Sequence, residues 1–469
     1  MKFVVFGTGK YYLNRKEQLF GLCDDAEIVC FFDNNIDERM EFEGKKIWKP
    51  QQLEETVFDK ILLMSRSYLD MKKQLIDLGY DSASIWTWEQ FVCEMNHGKY
   101  EFFCGETCYN TNNKKILIIS TYLGYNGGSI AAVYAAKALS DRYEVILAAP
   151  GGDREFVKEM AADGVSILLS PAIPYWGKEE LYLIQKFDYI LVNVFQMLPV
   201  VCQVSSMKPT IWWIHEPSNM YKDILDQYSD FLNLNIFDTI NIKAVSNVPK
   251  MNFNSYFPNI IHGTMAYGIP DKFKRDTLKN ECKGLVFAVV GGIVPRKAQD
   301  IFLEAIMSLR NKHNSKNIEY WLIGGIGEDE YCNMIRKIAK ESDQVKIKGK
   351  LTREEIDRAY QQIDVVVCPS REDPLPIVMT EGMMYGKVCI ASDATGTADF
   401  IEDGVNGLLC KAGDVESLAS KMQWVIDHPE RLVDMRKNAR KTYEKYFTME
   451  KFAQRLDTVI TETIEAYEE

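Results

Sequence analysis

In the segment VVVCPSREDPLPIVMTEGMMYGKVCIASD the acids Asp373 and Glu381 stand eight positions apart. On a helix rising about 1.5 Å per residue this spacing is roughly 12 Å along the axis and about 80° around it, so both carboxylates face one cleft. That span approximates the reach from a hexose across a pyrophosphate to a ribose. Pro374 and Pro376 fall at the start of the expected helix, where a missing N–H costs little. The amides of Leu375, Ile377 and Val378 are then left for an anionic ligand. Two acids on a helix usually make a solvated face. Here Ile377, Val378 and Met379 stand between them, and so apolar a helix start must be substantially buried.

A second constellation, Gly291-Gly292-Ile293-Val294-Pro295-Arg296-Lys297, directly follows an apolar run. Two adjacent cations at a strand-to-helix turn match what a pyrophosphate leaving group needs, because charge developing on the β-phosphate must be neutralised as the bond breaks. A solvated cation pair is the plainer alternative. In the turn Gly124 to Ser129, Gly127 and Gly128 let the backbone approach a ligand, and the helix behind them presents free N–H groups. A turn needing positive φ would use glycine as well. Of five histidines, His215 in IWWIHEP most clearly sits where a parallel strand ends, the edge at which doubly wound sheets bind ligands. Near the N-terminus, Gly7-Thr8-Gly9-Lys10 with Asp33 ending the next strand is a partial dinucleotide fingerprint, with Tyr12 where a small residue is wanted. A bound nucleotide or small anion and a purely structural tight turn both fit it.

Short apolar runs alternate with helical patterns from end to end, which predicts parallel sheets with crossover helices. The alternation opens three times, at KFVVFGTGK, KKILIISTYLGYNGG and GLVFAVVGGIVPRK, each as strand, glycine turn, helix, strand. Three Rossmann-like α/β modules are expected, over residues 1–105, 112–275 and 276–449, with linkers near 100–112 and 272–283. Apolar residues at helical spacing in DVESLASKMQWVI and MEKFAQRLDTVITETIEAY predict closing amphipathic helices.

A chain of 469 residues has room for such a division, and its formal charge of −12 lacks the field that nucleic-acid binding requires. No nucleic-acid partner is expected. Residues 1–110 carry 13 cations against 19 acids, 111–275 carry 15 of each, and 276–469 carry 27 against 33. The neutral middle unit leaves a weak peripheral membrane contact open. No uncharged apolar run approaches the ~20 residues of a membrane-spanning helix, and no secretory pattern opens the chain, so a cytoplasmic location is expected. Eleven cysteines form no CxxC pair, and Cys104 and Cys108 lack two further ligands. Reduced, mostly buried thiols and no metal site are expected.

From about residue 112 onward, PSREDPLPIVMTEGM and the following DATGTADFIEDGVNGLLCKAGDVESLA resemble the retaining glycosyltransferases of family 4. The family signature is two acids with seven residues between them, and Asp373 and Glu381 stand at those places; Glu372 is one residue too early. The resemblance implies the GT-B fold, two Rossmann-like domains facing across a nucleotide-sugar cleft. Residues 112–275 would be the acceptor domain, 276–449 the donor domain, and helix 450–469 would pack back on the former. It further implies that Asp373, or a shifted Glu372, holds the transferred sugar and Glu381 the ribose. His215 would lie close to the donor sugar and Gly396-Thr397 near the cleft. The family's diphosphate-gripping Arg and Lys fall on Gly292 and Lys297, so Arg296 is expected to supply the missing charge. Residues 1–105 resemble small Rossmann-like modules fused to polysaccharide-assembly enzymes, which implies no chemistry of its own.

The sequence thus reads as a retaining, metal-independent hexosyltransferase without a cofactor. Its substrates would be a nucleotide sugar, a UDP-sugar in preference to a GDP-sugar, and a glycan, lipid-linked or protein hydroxyl. His215, Lys297 and Asp373 are the expected catalytic residues. Donor binding is expected from Gly127, Gly128, Gly292, Arg296, Lys297, Asp373, Leu375, Pro376, Ile377, Val378 and Glu381. Two rival readings remain. One is another GT-B enzyme, a glycoside phosphorylase or a nucleotide-sugar epimerase. The other is a non-catalytic scaffold of a glycan-assembly complex that holds a partner protein through residues 1–105, a reading suggested by Gly292 and Asp373.

Overall fold

A computed structural model describes every residue except 37–40, 53–55, 106–112, 174, 229–233, 262, 274–283, 314–316 and 469. Most of both expected linkers, together with Cys108 and Cys282, lies outside the described residues. The apolar runs form three sheets. In the first, Lys2–Phe6 lies between Glu27–Phe32 and Lys60–Leu63, parallel to both. The second has eight strands, with Lys115–Ile119 between Tyr189–Asn193 and Glu144–Ala149. The third has six parallel strands in the order 3-2-1-4-5-6 counted from Leu285–Val290, so that this strand lies between Ile318–Ile323 and Val365–Cys368. Thr210–Ile214, Val365–Cys368 and Val388–Ser392 are buried along their whole length. Continuous apolar runs are what a parallel sheet covered by helices on both faces demands.

Glu101–Phe103, inside the expected accessory range 1–105, pairs antiparallel with Ile167–Leu169 and closes the edge of the second sheet. The unpaired amides and carbonyls of the Ile167–Leu169 edge supply the reason. The accessory domain is docked on the second unit through buried groups. Glu89 accepts from Gln227 Nε2 at 2.7 Å and Tyr228 Oη at 3.2 Å, and Glu180 accepts from the Gly98 amide at 2.8 Å. Burial raises the Glu89 carboxyl above its ordinary range, against the hydrogen bonds from Tyr228 and Gln227.

The last helix, Met449–Glu468, crosses back from the third unit to the second, as the family resemblance implies. Its Phe452 ring packs 5.6 Å from Trp213, whose indole Nε1 donates to Met265 O at 2.9 Å. Asn241 Nδ2 reaches Thr463 Oγ1 at 3.1 Å, and Lys243 pairs with Glu462 at 2.9 Å. The backbones approach so closely here that a Cβ on Gly268 would lie 2.5 Å from Thr448 O. Trp213 is fully buried between strand and helix. Trp213→Ala is therefore expected to lower unfolding stability by about 3–5 kcal/mol, read from the midpoint of chemical denaturation.

Candidate active site

The carboxyl ends of the second and third sheets face one another across a cavity of about 1120 Å³. Each sheet contributes its switch point, where the chain leaves a central strand to either side and two strand-end loops diverge. In the third sheet the loop after Leu285–Val290 carries Gly292, Arg296 and Lys297, and the loop after Val365–Cys368 carries Asp373. In the second sheet the turn after Lys115–Ile119 opens the helix Gly127–Leu139, with Asn126 capping it through Ser129 N at 3.0 Å. Asn193, at the end of the neighbouring strand, donates to Ser120 Oγ at 2.9 Å and Gly128 O at 3.1 Å, fixing that helix start. Every residue expected at the site lines the cavity. Gly127, Gly128 and His215 stand on one wall, and Gly292, Arg296, Lys297, Asp373, Leu375, Pro376, Ile377, Val378 and Glu381 on the other.

Asp373 is only 5 % exposed and is ion-paired with Lys297 Nζ, while Arg296 Nη1 lies 3.7 Å away and donates to Glu372 O at 2.9 Å. The expected shared helix is not there. The helix spans Ile377–Met384 with Pro376 as its N-cap, and Asp373 precedes it in an extended loop bridged to Thr395. The cause is the pair of prolines, since a residue before proline is pushed out of the helical region. Asp373 and Leu375 both stand in that position. Glu372 turns away from the cavity, accepting from Ser218 N at 2.7 Å and from Ser218 Oγ and Asn252 Nδ2, each at 2.5 Å. Of the two adjacent acids, Asp373 alone lines the cleft. Gly396 and Thr397, expected near the cleft, buttress this loop and do not line the cavity. Gly396 N donates to Asp373 O at 2.8 Å, and a Cβ there would meet Pro374 O at 1.8 Å.

Glu381, 2 % exposed, lies on the buried helix with Arg353 Nη2 at 2.5 Å and the Tyr360 hydroxyl at 2.9 Å. Arg353 opens the helix Arg353–Gln362, whose start is fixed by a capping box between Thr352 and Glu355. It lines the cavity with Lys350 and was missed in the sequence. The signal was available, because KGKLTREE follows a strand whose end lies on the same sheet edge as the other loops.

Residues 271–442 match the family model for glycosyl transferases group 1. Residues 1–86 match a second model, the C2185-like N-terminal domain. An uncharacterized glycosyltransferase of Haemophilus influenzae is 23 % identical over 351 residues, 71 % of this chain and 96 % of that protein. Sulfoquinovosyl transferase SQD2 of Arabidopsis thaliana is 31 % identical over 147 residues, 31 % of this chain but 28 % of its own length. Among solved structures, Anabaena Alr3699/HepE in complex with UDP and glucose has a TM-score of 0.62 at 18 % identity, over 75 % of this chain and 100 % of its own. The fold is GT-B, preceded by a separate N-terminal α/β domain. Glycosyl transfer is the function these findings support.

The wall from the second sheet holds its histidine uncharged. Burial lowers the His215 pKa to about 3, its ring packs edge-on 4.3 Å from Trp213, and its Nε2 has no hydrogen-bond partner. The backbone around it is fixed by Glu216, another residue the sequence reading passed over. The Glu216 carboxylate accepts from Phe195 N at 2.5 Å and His215 N at 2.9 Å, tying two strand-end loops together. Val194, just before Phe195, takes a left-handed φ of 74°, a conformation that costs a β-branched residue and persists only when its surroundings impose it.

Burial raises the Glu216 pKa from 4.5 to about 7, against the amide hydrogen bonds from His215 and Phe195. The folded protein therefore keeps a proton between those values that the unfolded chain gives up. Stability falls as pH rises through the window, by about 3 kcal/mol in all. Glu216→Gln removes this titration. Melting temperatures of the wild type and variant measured from pH 4.5 to 8 are expected to converge as pH rises, because the wild type declines more steeply.

Proposed function

We propose that the cleft transfers a sugar from a nucleotide sugar to an acceptor hydroxyl with retention of anomeric configuration and without a metal ion. The observation that carries this reading is the convergence of Arg296 and Lys297 on Asp373 at the switch point of the third sheet, beside the start of the helix Ile377–Met384. The first amides of that helix have no intrahelical acceptor, and Pro376 offers no side-chain cap. A diphosphate set there meets two cations and the positive end of a helix. As the bond from the anomeric carbon to the phosphate oxygen breaks, its electron pair goes to the phosphate, and these groups stabilise the charge. The acceptor hydroxyl attacks on the same face, and its proton passes to the departing phosphate oxygen.

Asp373 takes the hydroxyls of the transferred sugar in this reading, and Glu381 with Arg353 the ribose. His215 stands beside the donor sugar as a neutral imidazole. It therefore adds no positive charge where the reacting sugar becomes cationic. Arg296 and Lys297 meet the electrostatic need that a divalent ion would otherwise serve, so none is included. UDP is the proposed nucleotide, as in the complexes of Anabaena HepE with UDP and with UDP-glucose. The reading includes the cytoplasmic location expected from the sequence; among the described residues no helix is long and apolar enough to cross a membrane.

Lys297→Ala is expected to lower kcat at least about tenfold at saturating donor, the loss of one preorganised charge contact. Unchanged turnover would remove Lys297 from the mechanism. Turnover of the wild type should survive EDTA, and NMR of the first product should show the anomer of the donor; the opposite anomer would end the retaining reading.

A further inference from the structure

The cations that line the cleft all lie on one wall. Arg296, Lys297, Lys350 and Arg353 line the donor wall beside Glu354, Asp373 and Glu381, whereas the described lining residues of the second unit include neither lysine nor arginine. Among the described residues, the charged side chains this wall offers the cavity are Glu155 and Glu159, and His215 is held neutral. Glu155 and Glu159 are one turn apart on the helix Arg154–Ala162 and share a face. The other charged groups of that helix are engaged or turned elsewhere. Arg154 pairs with Glu101, Asp153 caps the helix through Phe156 N at 2.9 Å, and Lys158 does not line the cavity.

An aromatic ring completes the lip. Tyr125 lines the cavity with 58 % of its surface exposed, and its ring is fixed edge-on to Phe156 at 4.9 Å. Its hydroxyl donates to Glu159 Oε2 at 2.5 Å, which orients that carboxylate as well. Tyr122 on the same loop is 60 % exposed. A rigid exposed ring beside two acceptor-only carboxylates is complementary to a pyranose, whose apolar face covers the ring while its hydroxyls donate to the carboxylates. The same wall disfavours an anion, because a phosphate within about 8 Å of both carboxylates lies inside one Debye length of two like charges.

We propose that the acceptor is an uncharged saccharide, bound with one ring on Tyr125 and its hydroxyls on Glu155 and Glu159, and that the cleft rejects acceptors bearing phosphate or carboxylate on that terminal ring. The proposal rests on the transferase reading for the place of the reaction and adds the class of the second substrate. A lipid-linked acceptor satisfies it only where uncharged sugar separates the attacked ring from the diphosphate.

The test uses the full chain loaded with UDP on a printed array of uncharged oligosaccharides and of counterparts carrying phosphate or uronate on the terminal ring. The wild type is expected to be retained on uncharged glycans at least about tenfold more strongly than on any charged counterpart. The exposed double substitution Glu155→Lys with Glu159→Lys is expected to reverse that order, while Tyr125→Ala weakens retention and Tyr125→Phe preserves it. Strongest retention on phosphorylated or acidic glycans, retention on neither class, or indifference to the double substitution would overturn the proposal. Calorimetric titration with UDP separates the two readings. An unchanged UDP affinity in the double variant confines the change to the acceptor, whereas failure of the wild type to bind UDP removes the donor reading and leaves the array result standing.

Discussion

Asp373 is a carboxylate shut almost wholly away from solvent, and a charge so buried must be paired. Lys297 is the partner, and the pair ties the loop after Leu285–Val290 to the loop after Val365–Cys368. Much of the cleft follows from that link. Residues 372–375 are held from behind by Ala394 and Gly396, and from the opposite domain by Ser218, Ser246, Asn252 and Tyr267. The Tyr267 hydroxyl donates to Leu375 O at 2.5 Å, so the backbone just before the helix Ile377–Met384 is set by a residue of the acceptor unit. One short segment thus registers both walls. Its acid also keeps two cations gathered at one point, so that the proposed reaction would require little reorganisation there.

The strand-end loops were legible in the sequence because parallel strands buried on both faces leave long apolar runs, and the residues after such runs collect at one sheet edge. Glycines and cations in those places were therefore legible too. The shape of the acid loop was not. Spacing assigned Asp373 and Glu381 to one helix, but backbone sterics at the two prolines outrank periodicity, and the helix begins only after Pro376. Arg353 escaped for a different reason. Its place at a strand end on the shared sheet edge was legible, but its pairing with Glu381, twenty-eight positions on, was not. Glu155 and Glu159 lie on an exposed helix face, and only the third unit places a cavity against them.

The accessory domain shows the reverse case, a motif whose local geometry accounts for it. Gly7 has a φ of 110°, and a Cβ there would lie 2.7 Å from Met64 O, so close packing against the neighbouring strand end already demands glycine. Asp33, placed where a dinucleotide fold keeps its ribose acid, accepts from Thr8 Oγ1 at 2.5 Å and from Asn35 N at 2.9 Å. The buried contacts of Glu89 and Glu180 fix this domain to the acceptor unit. Its surface is thereby carried at a set orientation to the cleft.

Whole-chain charge gives little guide to a site built this way. The chain carries −12, yet Arg296, Lys297, Lys350 and Arg353 line the cavity from the third unit beside Glu354, Asp373 and Glu381, and the second unit is neutral in sum but presents two carboxylates. His215 and Glu216, adjacent in sequence, are both pushed by burial toward their uncharged forms, the imidazole down to about 3 and the carboxyl up to about 7. Two neighbouring groups that shed charge in opposite directions leave the strand end between the walls close to neutral. In the proposed reaction a fixed cation at this strand end would oppose the positive charge of the reacting sugar, and the uncharged forms of His215 and Glu216 avoid it; the fixed charges stand instead in the cluster of Asp373, Lys297 and Arg296 and on Glu155 and Glu159.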